Sequence, residues 1–178
     1  VARPGGGGDA RPGDGASLPQ PDEIPAGERD DAMAAYLMMF ASLAIGLPLP
    51  LVNLVASLVY WLVNRKTSRF VAFHSLQSLL SHLPVTVVNA GLVAWTIAAI
   101  ASPVRFGAAF FWFLAFTVLL NIAYIVISIV ALVHAHKGRF FYIPFFGRVS
   151  YLRLYGPRAE ARRKTVAWEN RPPAGTAQ

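Results

Sequence analysis

Three long apolar runs, Met33 to Val63, Phe70 to Ala101 and Phe106 to Val133, dominate the chain, and short polar junctions separate them. Each run exceeds the ~20 apolar residues that a helix needs to cross ~30 Å of hydrocarbon. No charged face recurs at helical spacing within them, so none reads as the amphipathic helix of a water-soluble domain. Between Ala32 and His136 the only formal charges are Arg65, Lys66, Arg69 and Arg105, all at the junctions. The expected fold is all-α: a polytopic helical membrane protein whose membrane domain covers residues 32–150.

The first run is interrupted by Gly46-Leu47-Pro48-Leu49-Pro50. Each proline pushes the residue before it out of the α region, so a helix must stop and restart there. Two arms of about 15 residues, roughly 22 Å each, result. They form either one kinked crossing or a short hairpin that returns. The hairpin is the working expectation and gives four helices in all. Ser68 is placed to cap the second long helix, with Phe70 and Phe73 seating its first turn at the membrane interface. Ser102 and Pro103 are placed to start the last helix, and Gly138 to end it.

The flanks differ in composition. Residues 1–31 are rich in Gly and Pro, lack any apolar period, and carry seven acidic side chains against three arginines. They are expected to be a disordered acidic tail, with no cleaved export peptide, because the positive n-region and short apolar core are missing. The whole chain is nevertheless +7, so the positive charge lies beyond this tail. It gathers at Arg65 to Arg69 and after Lys137, which the positive-inside rule assigns to the cytoplasmic side. Residues 151–178 read as a basic, aromatic interfacial tail. Arg153, Arg158, Arg162, Arg163, Lys164 and Trp168 are its expected contacts with an anionic leaflet. Phe140, Phe141, Tyr142, Phe145, Phe146, Tyr151 and Tyr155 are expected to act as further headgroup anchors. Lipid is the nearer polyanion, and no nucleic-acid partner is expected.

Polar side chains inside the runs are few and ordered. His74, Ser78, His82, Thr86 and Asn89 recur every three or four residues, with Gln77 and Ser81 beside them, so they share one helix face. Such a face should point at another helix, a partner subunit or a watery path rather than at lipid. Asn53 and Asn121 are available as counterparts.

No catalytic, cofactor or metal site can be assembled. His74 and His82 lie about 12 Å apart along a helix, too far to share one ion. Asp and Glu are missing from residue 32 to Ala159, and cysteine is missing throughout. That removes carboxylate pairs and thiolate sites from the membrane domain. The run Gly5 to Gly8 has neither the strand nor the helix that a phosphate loop needs.

Two stretches carry a family resemblance: Arg65-Lys66-Thr67-Ser68-Arg69-Phe70 through Phe73-His74 and Gln77, and Lys137-Gly138 through Tyr142, Pro144 and Gly147. Together they resemble a bacterial membrane family of unknown function related to the small channel subunit of the chloroplast inner-envelope protein translocon. The spacing from Tyr142 to Pro144 is one residue shorter than in that family, and Arg139 stands where an acidic residue is common. The resemblance implies a four-helix membrane domain and a translocon-like role. The expected function is a small, non-enzymatic assembly component of the bacterial plasma membrane, working with membrane-protein partners and with its C-terminus in the cytoplasm. A homo-oligomeric pore lined by His74 to Asn89 is the alternative.

Overall fold

The computed structural model describes residues 18–40, 50–101, 106–155 and 175. The described residues form five α-helices: α1 (Ala26–Leu37), α2 (Pro50–Asn64), α3 (Arg69–Ala101), α4 (Ala108–His136) and α5 (Phe146–Leu154). A 3-10 turn, Met38–Phe40, extends α1. The Gly46 to Leu49 break, Ser102 to Arg105 and the tail residues Arg158, Arg162, Arg163, Lys164 and Trp168 lie outside the described residues.

The two long helices follow their apolar runs closely and are lipid-bare rather than core. Only 11% and 22% of their most apolar stretches are buried. Val87, Ile97 and Ile100 on α3 and Phe111, Trp112 and Leu119 on α4 are all exposed. A soluble core helix would hide such side chains, whereas lipid accepts them without cost. The molecule is therefore an all-helical membrane protein. From Leu83 to Ala101, α3 is about 28 Å long, close to the hydrocarbon thickness. The whole 33-residue helix is about 50 Å, which matches a bilayer with its headgroup layers once the common ~20° tilt is allowed.

At the opposite end from Ala101, the bundle widens into a packed base. Leu18, Ile24, Ala32, Tyr36, Phe70, Phe73, Ala131, Ala135, Phe140, Ile143, Tyr151 and Tyr155 form one core. A smaller cluster of Met39, Val85 and Tyr124 lies above it. Residues 70–78 of α3 are buried on all sides, because α1, α2, α5 and the segment before α5 all pack around this one helix.

The first run is a hairpin. The Ser68 hydroxyl, just after α2, bonds to the Glu28 carboxylate at the start of α1, while Met39 at the other end of α1 packs beside Val85. Halfway, the Tyr60 hydroxyl donates to the Asp31 carbonyl at 2.7 Å. The chain thus rises along α3 in α1 and returns in α2, and the kinked single crossing is excluded.

The packed helices extend past both ends of residues 32–150. Helix α1 begins at Ala26, six residues before the expected boundary, and Leu18 and Ile24 are buried in the base core. Its buried positions Ala32, Ala35, Tyr36 and Met39 keep helical period. The stripe starts with alanines, which carry little hydropathy and hide it from a composition reading. At the other end, α5 runs across the boundary drawn at residue 150. Tyr151 and Tyr155 are core, as are Phe70, Phe73 and Phe140, so these rings are not the headgroup anchors expected of them. Edge-on packing explains the change: Phe140 meets Phe70 at 5.2 Å and Tyr155 at 5.5 Å between centroids. Helix α4 starts at Ala108 behind Gly107, later than Ser102 and Pro103 suggested.

Two local expectations hold. Ser68 caps α3, its hydroxyl accepting from the Phe70 N–H at 3.2 Å. Gly138, with φ 70°, ends α4 in a Schellman turn, in which the Arg139 N–H reaches the His134 carbonyl and the Gly138 N–H the Ala135 carbonyl, both at 2.9 Å.

Candidate functional site

The polar face of α3 is turned into the protein along its whole length. His74, Gln77, Ser78, His82 and Thr86 are buried and Asn89 is half-buried. Each of the lower members meets a different element, so the stripe is where the fold is joined together.

Gln77 is the centre of the base. Its Nε2 donates to the Tyr36 hydroxyl at 2.7 Å and to the Phe141 carbonyl at 2.9 Å, and its Oε1 accepts from the Ile143 N–H at 3.3 Å. A side-chain amide thus pairs with residues 141 and 143 as another strand's peptide would. This grip holds a re-entrant segment: after α4 ends, residues 139–143 climb back along α3, the chain reverses at Pro144 to Phe146, and α5 descends. Because Gln77 already donates to the Tyr36 oxygen, the Tyr36 proton is free to point at His74 Nδ1, 3.0 Å away. His74 then carries its own proton on Nε2, buried beside the Arg139 backbone. One polar chain therefore ties α1, α3 and the re-entrant segment.

The reversal itself is tight. The Phe146 N–H donates to the Pro144 carbonyl at 2.8 Å, a γ-turn centred on Phe145 with φ 66° and ψ −56°. Side chains rarely hold this backbone, which costs on the order of 1–3 kcal/mol. Gly147 then passes so close to α3 that a Cβ there would stand 2.6 Å from Tyr142 Cα and 2.7 Å from Gln77 Oε1. Burial pushes the Tyr142 and Tyr155 phenols above their ordinary range; for Tyr155 nearby Arg69 opposes that shift and Glu28 adds to it.

Higher up, the stripe joins α3 first to α1 and then to α4. Ser78 donates to the Ala35 carbonyl of α1 at 2.8 Å, while His82 Nδ1 lies 3.0 Å from the Tyr124 hydroxyl. Asn89 and Asn121 exchange amide bonds at 3.2 and 3.1 Å, and each spends its second N–H on the carbonyl one turn back. Thr86 is buried on the same face without a hydrogen-bond partner among the described residues. Asn121 was foreseen as a counterpart. Tyr36 and Tyr124 were not, since a tyrosine within an apolar run gives no sign of where its hydroxyl points.

Asn89→Leu should lower the melting temperature in detergent modestly, because interhelical hydrogen bonds in membranes average ~0.6 kcal/mol and reach about 1.7. Vesicle permeability should stay unchanged. An unmoved melting temperature together with altered conductance would contradict an interhelical role.

The Arg153 side chain is exposed on the outer face of α5, with Arg65, Lys66, Lys137 and Arg139 exposed elsewhere on the base. The base also carries a cleft of ≈ 260 Å³ between Glu23, Glu28, Ser68, Arg69 and Tyr155. Two of its lining residues, Ser68 and Glu28, are hydrogen-bonded to each other.

Against known proteins, the model of the magnetosome magnetite crystal formation protein family (MamF/MmsF) matches residues 28–150. No match was found among curated proteins or among solved structures. The match overturns the resemblance to relatives of the chloroplast envelope translocon, and with it the translocon-like and unknown-function expectations. The residues behind that resemblance pack together in the base: Phe73 meets Tyr142 edge-on, Phe70 and His74 meet Phe140, and Gln77 lies against Gly147 and holds the Phe141 carbonyl. With the matched segment running from the first turn of α1 into α5, the chain belongs to the MamF/MmsF family of magnetosome magnetite crystal formation proteins.

Proposed function

We propose that the protein is a non-enzymatic assembly component of the bacterial membrane at which magnetite forms. In this reading, the α3–α4 hairpin anchors a folded base that partners in the same membrane can recognise. The direction of the polar side chains carries it. His74, Gln77, Ser78, His82 and Asn89 each form a side-chain hydrogen bond inside the chain, and the shaft left to neighbours is apolar. A pore lined by His74 to Asn89 draws no support from that arrangement, since the residues that would line it face α1, α4 and the re-entrant segment. In a magnetite-forming bacterium, a fluorescent fusion of the chain should coincide with the crystals, and deletion should change crystal size or number in electron micrographs. Crystals unchanged by deletion would remove the reading.

The base is assigned to the cytoplasmic face of the inner membrane because Arg65, Lys66, Lys137, Arg139 and Arg153 are exposed there. Anionic lipid of that leaflet is the matching partner for its charge. The cysteine-free chain allows a direct check. In intact cells a membrane-impermeant thiol reagent should spare Thr67→Cys and label Ser102→Cys, and the reverse pattern would invert the protein.

A further inference from the structure

Phe145 is doubly out of place. It is the one non-glycine residue with positive φ among the described residues, and it is a large apolar residue that is 74% exposed. Strain of this kind persists where the surrounding structure enforces it, and it clusters at functional positions. Here the Gln77 grip and the close passage of Gly147 enforce the turn, and the result is an aromatic ring held outward at the apex.

The position of the apex along the bundle says what it meets. Gln77 lies eight residues into α3, about 12 Å above its start, and the apex sits next to it. Helix α5 then descends until Tyr155 lines the cleft beside Arg69 and Phe70. The outer face of α5 therefore occupies the layer between the exposed cations of the base and Leu83, where α3 becomes lipid-bare. Phe145, Val149 and Leu152 are exposed at spacings of four and three, with exposed Arg148 and Arg153 on either side. An apolar stripe flanked by arginines is the pattern of a helix lying in a headgroup layer. Arg148 already donates one N–H to the Gly175 carbonyl at 2.7 Å, which leaves further guanidinium donors for a phosphate.

We infer that the Phe145 apex and the outer face of α5 form an interfacial foot seated among the anionic phospholipids of the leaflet in which α3 begins, with Phe145 reaching the acyl boundary and Arg148 and Arg153 holding phosphates. This foot rests on the membrane reading of the α3–α4 hairpin and on the assignment of the base to an anionic leaflet. It goes further by naming the residues that read lipid and the depth of each.

Spin labels on single cysteines in the full chain test it. Val87→Cys, Phe145→Cys and Arg153→Cys proteins are reconstituted in vesicles of phosphatidylcholine, with or without phosphatidylglycerol. Collisions with oxygen report the apolar layer, and collisions with a water-soluble nickel chelate report the aqueous side. The label at 145 should favour oxygen, more so with phosphatidylglycerol present, and the label at 153 should favour nickel. Replacing Arg148 and Arg153 by Gln should abolish the effect of phosphatidylglycerol on the label at 145. If the label at 87 is open to nickel, the hairpin reading fails; if 87 is in lipid while 145 is open to nickel, or closed to both reagents under a protein neighbour, the foot alone fails. Phe145→Gly, which relaxes the turn, should keep or raise the melting temperature in detergent while weakening the stabilisation that phosphatidylglycerol gives the native chain. A lower melting temperature in detergent would show that the ring serves the fold and overturn the proposal.

Discussion

Gln77→Leu should be among the most damaging single substitutions in the base, lowering the melting temperature in detergent by roughly 10 °C. The native amide satisfies three groups on two other elements: the Tyr36 hydroxyl, the Phe141 carbonyl and the Ile143 N–H. Leucine fills similar space but leaves the two backbone groups buried without partners, at about 1–3 kcal/mol each. A loss of ~3 kcal/mol in a chain of this size corresponds to about 6–12 °C. Tyr36→Phe should cost less, because Gln77 keeps both backbone bonds, although its own bond to the Tyr36 hydroxyl and that hydroxyl's bond to His74 Nδ1 are both lost. Trypsin gives a second readout. Once the grip is gone, the re-entrant segment should detach and expose cleavage at Arg148 and Arg153. Equal losses for Gln77→Leu and Tyr36→Phe, with both proteins still resistant to trypsin, would show that the segment is held by its aromatic packing instead.

What the sequence revealed and what it hid follow from one physical difference. Lipid-facing surface is legible from composition, because a bilayer demands an unbroken apolar run of set length. Hence α3 and α4 stand within a few residues of their runs, and Ser68 and Gly138 mark ends that helix termini require chemically. The base is a protein core, and a core is specified by contacts between distant segments. Phe73 and Tyr142 look alike in sequence, aromatic residues near a membrane exit, and nothing local says that their rings meet edge-on with centroids 5.6 Å apart. The same holds for the headgroup role expected of Tyr151 and Tyr155. Both are amphipathic rings beside arginines, yet they are buried, Tyr155 edge-on against Phe140 and Tyr151 edge-on against Tyr142. The polar stripe was legible as a face because its period is intrinsic to the helix. Its partners were not, apart from Asn121, since amide pairs have a recognisable counterpart and a lone tyrosine does not.

Translocon likeness failed for a related reason. Motifs of the form Phe-His-x-x-Gln and Tyr-x-Pro-x-x-Gly, placed at two membrane exits, report a way of folding an exit. Gln77 and Gly147 meet in space although 70 residues separate them, and that junction would serve a conducting protein and an assembly protein equally. Fold-level likeness of this sort transfers architecture and leaves function open; the family match across residues 28–150 is what moves the reading to magnetite formation.

Gly147→Ala is the substitution that tests the junction from its other side, and a loss near the top of the ~1–3 kcal/mol range for overpacking is expected. The added methyl would stand 2.6 Å from Tyr142 Cα and 2.8 Å from Tyr142 Cβ, atoms fixed by the re-entrant backbone, so neither can swing aside as a long side chain could. The third neighbour, Gln77 Oε1 at 2.7 Å, belongs to the grip itself, and the alanine would push against the bond to the Ile143 N–H. Residues in direct contact couple by about 0.5–3 kcal/mol. Gly147→Ala should therefore cost less in a Gln77→Ala background than in the native one, since the shortened side chain removes one clash and there is no grip left to break. The double-mutant cycle, read from denaturation in detergent, should fall short of additivity by ~1 kcal/mol. Full additivity would mean that Gly147 matters to Tyr142 alone, and α5 would then be docked by backbone fit to the re-entrant segment, with the Gln77 amide as a bystander.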